Sequence, residues 1–315
     1  MQIRKLVKSG HSSLVTAIPS EWIKKNKLKP GDHIYLKEEG KRLIIEASYQ
    51  EAEPAVGKYV LDTESKNEKK ILHELTAAYM DSYKIIIIKG SNINDHLFSL
   101  KKRISDLVAL ELVEESSEKI IARSFLDIKD SSPSIVIRRI DNIIRSMFID
   151  TKSALRKKEI IQNIVNRDQE VNKLSFLLYK ILKSAQSDME IENALQLNEL
   201  QILLYWELNI HLEKIGDRVK HIAKIIPDID SRNMKVFEKI FSEMNEQYLE
   251  VMHAFYKNIK DEAEEVSRRK DAYTEYIKRV IEKTRSLPMV RVAINCINMS
   301  HNINDIARAI RYIPN

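Results

Sequence analysis

The spacing of apolar and polar residues divides the 315-residue chain into three textures. In the first fifty residues the apolar positions come in short runs cut by turn formers: IRKLVK, LVTAI ended by Pro19, HIYLK, and RLIIEA, the last two separated by EEGK. Short runs bounded in this way predict strands. PSEWIKKNKLKPGD, lying between them, predicts a brief helix and turn. Ser20 is its candidate cap, Glu21 suits the positive helix start, and Lys29-Pro30-Gly31-Asp32 ends it. So small a unit, with so few large apolar side chains, buries little by itself, so a homodimer through residues 1–50 that completes the sheet is expected.

Residues 51–57, EAEPAVG, read as a linker into a second unit over 58–130. There KYVLD predicts a strand, 67–82 a helix, YKIIIIK a buried strand, 94–110 a helix, and ELVEESSEKIIARS a hairpin. The alternation predicts a small α/β domain. Its role is open between spacer, dimer contact and small-ligand pocket, and it contains no Gly-rich phosphate loop.

From Pro133 onward the pattern changes to long stretches of helical periodicity with almost no Gly or Pro. This predicts an all-α bundle over 134–315. Six helices are expected, near 134–158, 159–184, 191–226, 231–258, 260–284 and 288–312, with breaks near Ser187, Pro227 and Pro288. The segment also repeats itself. VNRDQEVNKL corresponds to SRRKDAYTEYI, and HLEKIGDRVKHIA to SHNINDIARAI, which sets Glu213 against His301 and Asp217 against Asp305. Two three-helix repeats, 134–226 and 231–315, follow. The fold class is therefore multidomain: all-β, then small α/β, then all-α.

The third bundle helix carries the most distinctive chemistry. Leu204, Leu208, Leu212, Ile215, Val219, Ile222 and Ile226 form one stripe, and Asn209, Glu213, Asp217 and His221 form a row roughly opposite, expected to face solvent. Carboxylates four apart on a helix repel by a few tenths of a kcal/mol, so this pair calls for cations or a metal. Oxygen ligands with an imidazole suit Mg, Mn, Fe or Zn. Lys214, Arg218, Lys220 and Lys224 share this half of the helix, so a salt-bridge network answers equally well. Gly216, the only glycine in the last 225 residues, sits between the carboxylates and costs a helix interior roughly 1 kcal/mol against alanine. Its angular position near the apolar stripe points to tight helix packing before room for metal ligands.

Charge separates the ends of the chain. Residues 1–50 hold ten Lys/Arg and five Asp/Glu, hence +5 of the +6 total. Concentrated cations fit a polyanion such as nucleic acid, as they also fit a merely solvated surface. The single cysteine, Cys296, excludes an intramolecular disulfide and a Cys-based zinc cluster. It falls on an apolar stripe, as core filler would. The longest aliphatic run, Ile85–Ile88, is far too short to span a membrane, and a cytoplasmic location is expected. Ser300-His301 does not form a triad by adjacency, and neither a P-loop nor HExxH occurs, so no enzymatic activity is expected.

Two resemblances extend this reading. VKSGHSSLVTAIPSEWIKKNKLKPGDHIYL resembles the AbrB/SpoVT family of swapped-hairpin DNA-binding domains, over about 47 residues. The resemblance implies an interleaved dimer presenting Arg4, Lys5, Lys8, His11, Ser12 and Ser13 to double-stranded DNA, with Lys24 and Lys25 on the backbone. HLEKIGDRVKHIAKII and NRDQEVNKLSFLLYKIL resemble the PhoU family of phosphate-uptake regulators, over about 134–315. That family has two three-helix bundles and a metal-binding E/D-xxx-D motif, which implies Glu213 and Asp217 as ligands. In the second repeat His301 replaces the acidic residue and only Asp305 keeps its type. His221 stands where the family usually has Asn, either as a further ligand or as a partner of Asp217. Together these imply a DNA-binding transcriptional regulator of phosphate homeostasis with a metal-binding sensory bundle. The alternative is an interaction protein acting on a phosphate ABC transporter or a sensor kinase, its N-terminal segment serving only to dimerise.

Overall fold

The computed structural model describes residues 3–10, 13–39, 42–47 and 57–312. It divides into two compact units, Met1–Ala55 and Val56–Asn315.

In the first unit, β1 (Val7–Ser9) pairs antiparallel with β2 (Ser13–Val15), in the register Val7 to Val15. α1 (Ser20–Lys25) follows, and β3 (Tyr35–Glu39) pairs antiparallel with β4 (Arg42–Glu46). β1 and β2 are shorter than the apolar runs IRKLVK and LVTAI suggest, and LVTAI leaves strand geometry after Val15. Ser20 is not the cap of α1. Pro19 holds that position without a side-chain hydrogen bond, and Ser20 is the first helical residue. The helix ends where Asn26 Nδ2 donates to the Trp22 carbonyl at 2.8 Å and Lys27 takes a left-handed φ of 56°. Asp32 then closes the KPGD turn by accepting from the Lys29 amide at 2.7 Å. None of the unit's side chains with a described environment is fully buried.

The second unit opens with an α/β layer: β5 (Lys58–Asp62), α2 (Glu68–Met80), β6 (Ile85–Lys89), α3 (Ile93–Ser105), β7 (Leu110–Glu115) and β8 (Lys119–Ser124). The strand order is β5-β6-β8-β7, with β5 parallel to β6 and the remaining pairs antiparallel. Alternate residues such as Ile86 and Ile88 point into a core shared with Leu75, Tyr79, Leu100 and Ile104 of the two helices. This is the period-2 pattern of a sheet covered on one face.

The bundle comprises α4 (Pro133–Ala154), α5 (Ile160–Ser187), a short α6 (Met189–Ala194), α7 (Glu199–Ile225), α8 (Met234–Lys257), α9 (Lys260–Lys283) and α10 (Leu287–Arg311). α4, α5 and α7 pack on one another, α8, α9 and α10 do likewise, and α7 lies against α10. Where periodicity predicts one helix over 191–226, the chain breaks at Gln196, which has φ 53°. A reciprocal cap restarts it: Asn198 Oδ1 accepts from the Gln201 amide at 2.9 Å, and Gln201 Oε1 from the Asn198 amide at 3.0 Å. Polar caps of this kind satisfy amides left open at a helix start, independently of the apolar stripe. Among the described residues no helix is long and apolar enough to cross a membrane.

α5 joins the layer to the bundle. Lys180 is buried, with its Nζ 4.1 Å from the centre of the Tyr79 ring and donating to Ser124 Oγ at 3.0 Å. Ser82 and Ser184 share a 2.6 Å hydrogen bond, and Lys183 pairs with Asp81.

Candidate functional site

α7 is the central helix of the first three, touching α4, α5 and α10. The stripe Leu208, Leu212, Ile215, Val219, Ile222 and Ile226 is buried, as its spacing predicts, while Leu204 at the start is half-buried. The opposite row departs from expectation, because α5 and α10 cover α7 on more than one side. Asn209 is fully buried and donates from Nδ2 to the Ser175 carbonyl at 3.1 Å, Glu213 and Asp217 are half-buried, and only His221 is exposed.

Glu213 and Asp217 do not stand alone. Asp168, buried on α5, accepts from Lys220 Nζ at 2.6 Å, and the same ammonium donates to Asp217 Oδ1 at 2.5 Å. Burial works against the Lys220 charge, yet hydrogen bonds to Asp168 and Asp217 outweigh it and hold its pKa above the usual value. Burial raises the Glu213 pKa, with repulsion from Asp217 and Asp168 adding to it. His221 is lowered, first by desolvation and then by the charge of Lys220. The second oxygen of Asp168 is buried with no hydrogen-bond partner.

This donor set does not suit a metal as it stands. An ammonium already fills the position between the two carboxylates, and among the described residues no three His, Cys, Asp or Glu side chains converge to hold an ion. On α10, His301 is exposed, and Asp305 is half-buried with a 3.7 Å contact to Arg308 one turn on.

Gly216 is buried against α5 and α4, on the packing side of α7. A methyl added there would lie 3.5 Å from Val171 Cγ1 and 3.9 Å from Ile144 Cγ1, ordinary contact distances. The space therefore admits alanine, and helix approach does not require glycine.

Glu213 also lines a cleft of about 460 Å³ with Arg103 of α3, Asp106 just beyond its end, and Gln169, Asn172, Lys173, Ser175, Phe176 and Tyr179 of α5. Burial, then the Glu213 charge, pushes the Tyr179 phenol up to about 12. α7 meets α10 through a His211 Nδ1 to Asn302 Oδ1 contact of 3.2 Å and an Arg218 Nη1 bond to Asn295 Oδ1 at 3.4 Å. These ties run in opposite sequence order, so the two helices are antiparallel.

Sequence reasoning does not find Asp141 on α4, the most heavily bonded carboxylate among the described residues. It is buried and accepts from Arg145 Nε at 2.9 and 3.0 Å, from the Tyr248 hydroxyl at 2.8 Å and from the Tyr256 hydroxyl at 3.0 Å. The one local signal is Arg145 at i+4. The tyrosines lie more than a hundred positions away.

The N-terminal candidates fall on the first unit. Arg4, Lys5, Lys8 and Ser13 are exposed on and before the β1–β2 hairpin, whose turn uses Gly10 at φ 75°, and Lys24 and Lys25 are exposed in the last turn of α1. His11 and Ser12 lie outside the described residues. In the same unit, Ile3, Leu6, Val7, Leu14, Val15, Leu36 and Leu43 are all about half exposed or more. The lone cysteine, Cys296, is buried on α10, and burial pushes its thiol up to about 12, out of reach of ordinary thiolate chemistry.

No curated protein matches the chain. Among solved structures, PhoU from Pseudomonas aeruginosa is similar at 13% identity and a TM-score of 0.37, covering 57% of this chain and 90% of that one. The family match falls on the helices that carry Asp141, Asp168, Glu213 and Asp217: residues 137–226, from within α4 to the end of α7, match the PhoU domain.

Proposed function

We propose that this protein regulates phosphate uptake by docking its helical bundle on a partner protein, a phosphate transporter or a sensor kinase. The observation that carries this reading is the PhoU-domain match over 137–226. In it the bundle works by binding, with no catalytic step. A cell lacking the chain should lose phosphate-dependent control of uptake, and the full chain should restore it. The variant with Arg4, Lys5 and Lys8 replaced by alanine should restore it equally. Full-length protein should also capture its transporter or kinase from solubilised membranes. Normal phosphate control without the chain would overturn the reading.

A second reading is favoured by the first unit, which carries both exposed cations and exposed apolar side chains. Here a second copy covers Leu14, Leu36 and their neighbours, and the paired hairpins present Arg4, Lys5 and Lys8 to DNA phosphates. Mobility shifts on phosphate-transport promoters test it. Binding should weaken steeply with salt, in proportion to the phosphates neutralised. Loss of phosphate control in the triple alanine variant would favour this reading over the first.

A further inference from the structure

We propose that Lys220 is the resident cation of the Asp168–Asp217 pair and keeps this carboxylate group closed to divalent metal. The ammonium lies 2.6 Å from Asp168 Oδ2 and 2.5 Å from Asp217 Oδ1, in the space a bridging ion would take. Ammonium and metal cannot both sit there, since two cations at ligand distance from the same oxygens repel strongly in a partly dry site.

The chain delivers this lysine itself. Lys220 is one helical turn beyond Asp217 on α7, so its local concentration is set by the fold, whereas a metal must come from solution. It is largely covered, and Asp168 is nearly fully so. Displacing Lys220 would leave its ammonium to find a new partner and would strip water from the incoming ion. Charge balance points the same way: one ammonium between Asp168 and Asp217 relieves their mutual repulsion, and that with nearby Glu213, without an external ligand.

The same geometry says what the lysine withholds. With Lys220 removed, Asp168 offers two buried oxygens, one of them already without a partner, beside Asp217 and within the electrostatic reach of Glu213. Such an oxygen-rich set suits a hard divalent ion. This inference stands whether or not the bundle controls phosphate uptake.

Full-length protein, stripped with chelator, equilibrated with Mn(II) and freed of excess by gel filtration, provides the test by elemental analysis and electron paramagnetic resonance. Wild type and Asp217→Asn should retain the same manganese. Lys220→Met should gain one equivalent, bound at least about tenfold more tightly than any manganese in wild type, as expected when a buried competing charge is removed. The gain should vanish in Lys220→Met/Asp217→Asn, and Lys220→Arg should behave as wild type. If Lys220→Met loses helical content by circular dichroism, Lys220→Gln takes its place. Wild-type manganese that Asp217→Asn abolishes would overturn the proposal. So would a folded Lys220→Met or Lys220→Gln protein that gains none.

Discussion

The Tyr248 hydroxyl on α8 donates to Asp141 Oδ1 on α4 at 2.8 Å, joining helices from the two halves of the bundle. Tyr256 donates to the other oxygen at 3.0 Å, and Arg145 spans both. Around them Phe148 stacks on Tyr248 at 5.3 Å between ring centres, and Arg138 lies 4.8 Å over the Tyr256 ring. A buried carboxylate so fully bonded fixes the register of α4 against α8.

Breaking that arrangement from either side should have unequal costs. Asp141→Ala leaves the partly buried Arg145 and two tyrosine hydroxyls unpaired and should lower unfolding free energy by about 3–5 kcal/mol. Tyr248→Phe removes one charged hydrogen bond and should cost about 1.5–3 kcal/mol. Urea denaturation followed by circular dichroism gives both values, and equal costs would contradict the assignment of Asp141 as the hub.

Replacing Gly216 should stabilise the protein. Gly216→Ala removes helix-interior glycine at a site where the new methyl makes ordinary contacts with Val171 and Ile144, a gain of up to about 1 kcal/mol. Gly216→Leu exceeds that space and should cost about 1–3 kcal/mol. A loss of stability in Gly216→Ala, read from the thermal midpoint, would show that the helices need closer approach than this.

Lys180 should make stability rise with pH. Desolvation lowers its pKa to about 8 in the folded chain, against about 10.4 when unfolded. Between these values the unfolded chain holds more protons, so stability increases as pH rises through 8. Tyr79 and Tyr248, whose pKa values burial raises, act in the opposite sense only above about pH 10, where unfolded tyrosine ionises. The denaturation midpoint of wild type relative to Lys180→Met should therefore climb from pH 7 to 9.5. A flat or falling difference would remove Lys180 from this role.

If a second copy covers the apolar surface of the first unit, placing charge there should separate the copies. Leu14 is 63% exposed and Leu36 61% exposed in the single chain. Leu14→Glu/Leu36→Glu should sediment as a monomer at concentrations where wild type is a dimer, and an unchanged sedimentation coefficient would place the contact elsewhere.

Much of the architecture is legible because it depends on periodicity. The strand KYVLD, the helix α2 and most bundle helices fall within a few residues of where apolar spacing sets them, while α3 ends at Ser105, five residues before the expected end, and β7 begins at Leu110. The break at Gln196 is not legible in this way, since it depends on the Asn198–Gln201 cap and not on the stripe. Neither is the burial of Asn209: its angular position on α7 is readable, but what covers that side is contributed by α5.

The sequence by itself determined most of the elements, the concentration of cations in the first fifty residues and the row of Glu213 and Asp217 on one helix. Each of these depends on residues close together along the chain. Only the tertiary structure decided that Asp168 from α5 meets this row, that Lys220 stands between the carboxylates, and that Asp141 draws in two distant tyrosines. These relationships turn on a few ångströms between side chains that helix packing brings together. A charge becomes a candidate ligand, an ion-pair partner or a buried hub according to what that packing sets beside it, which periodicity along one helix does not encode.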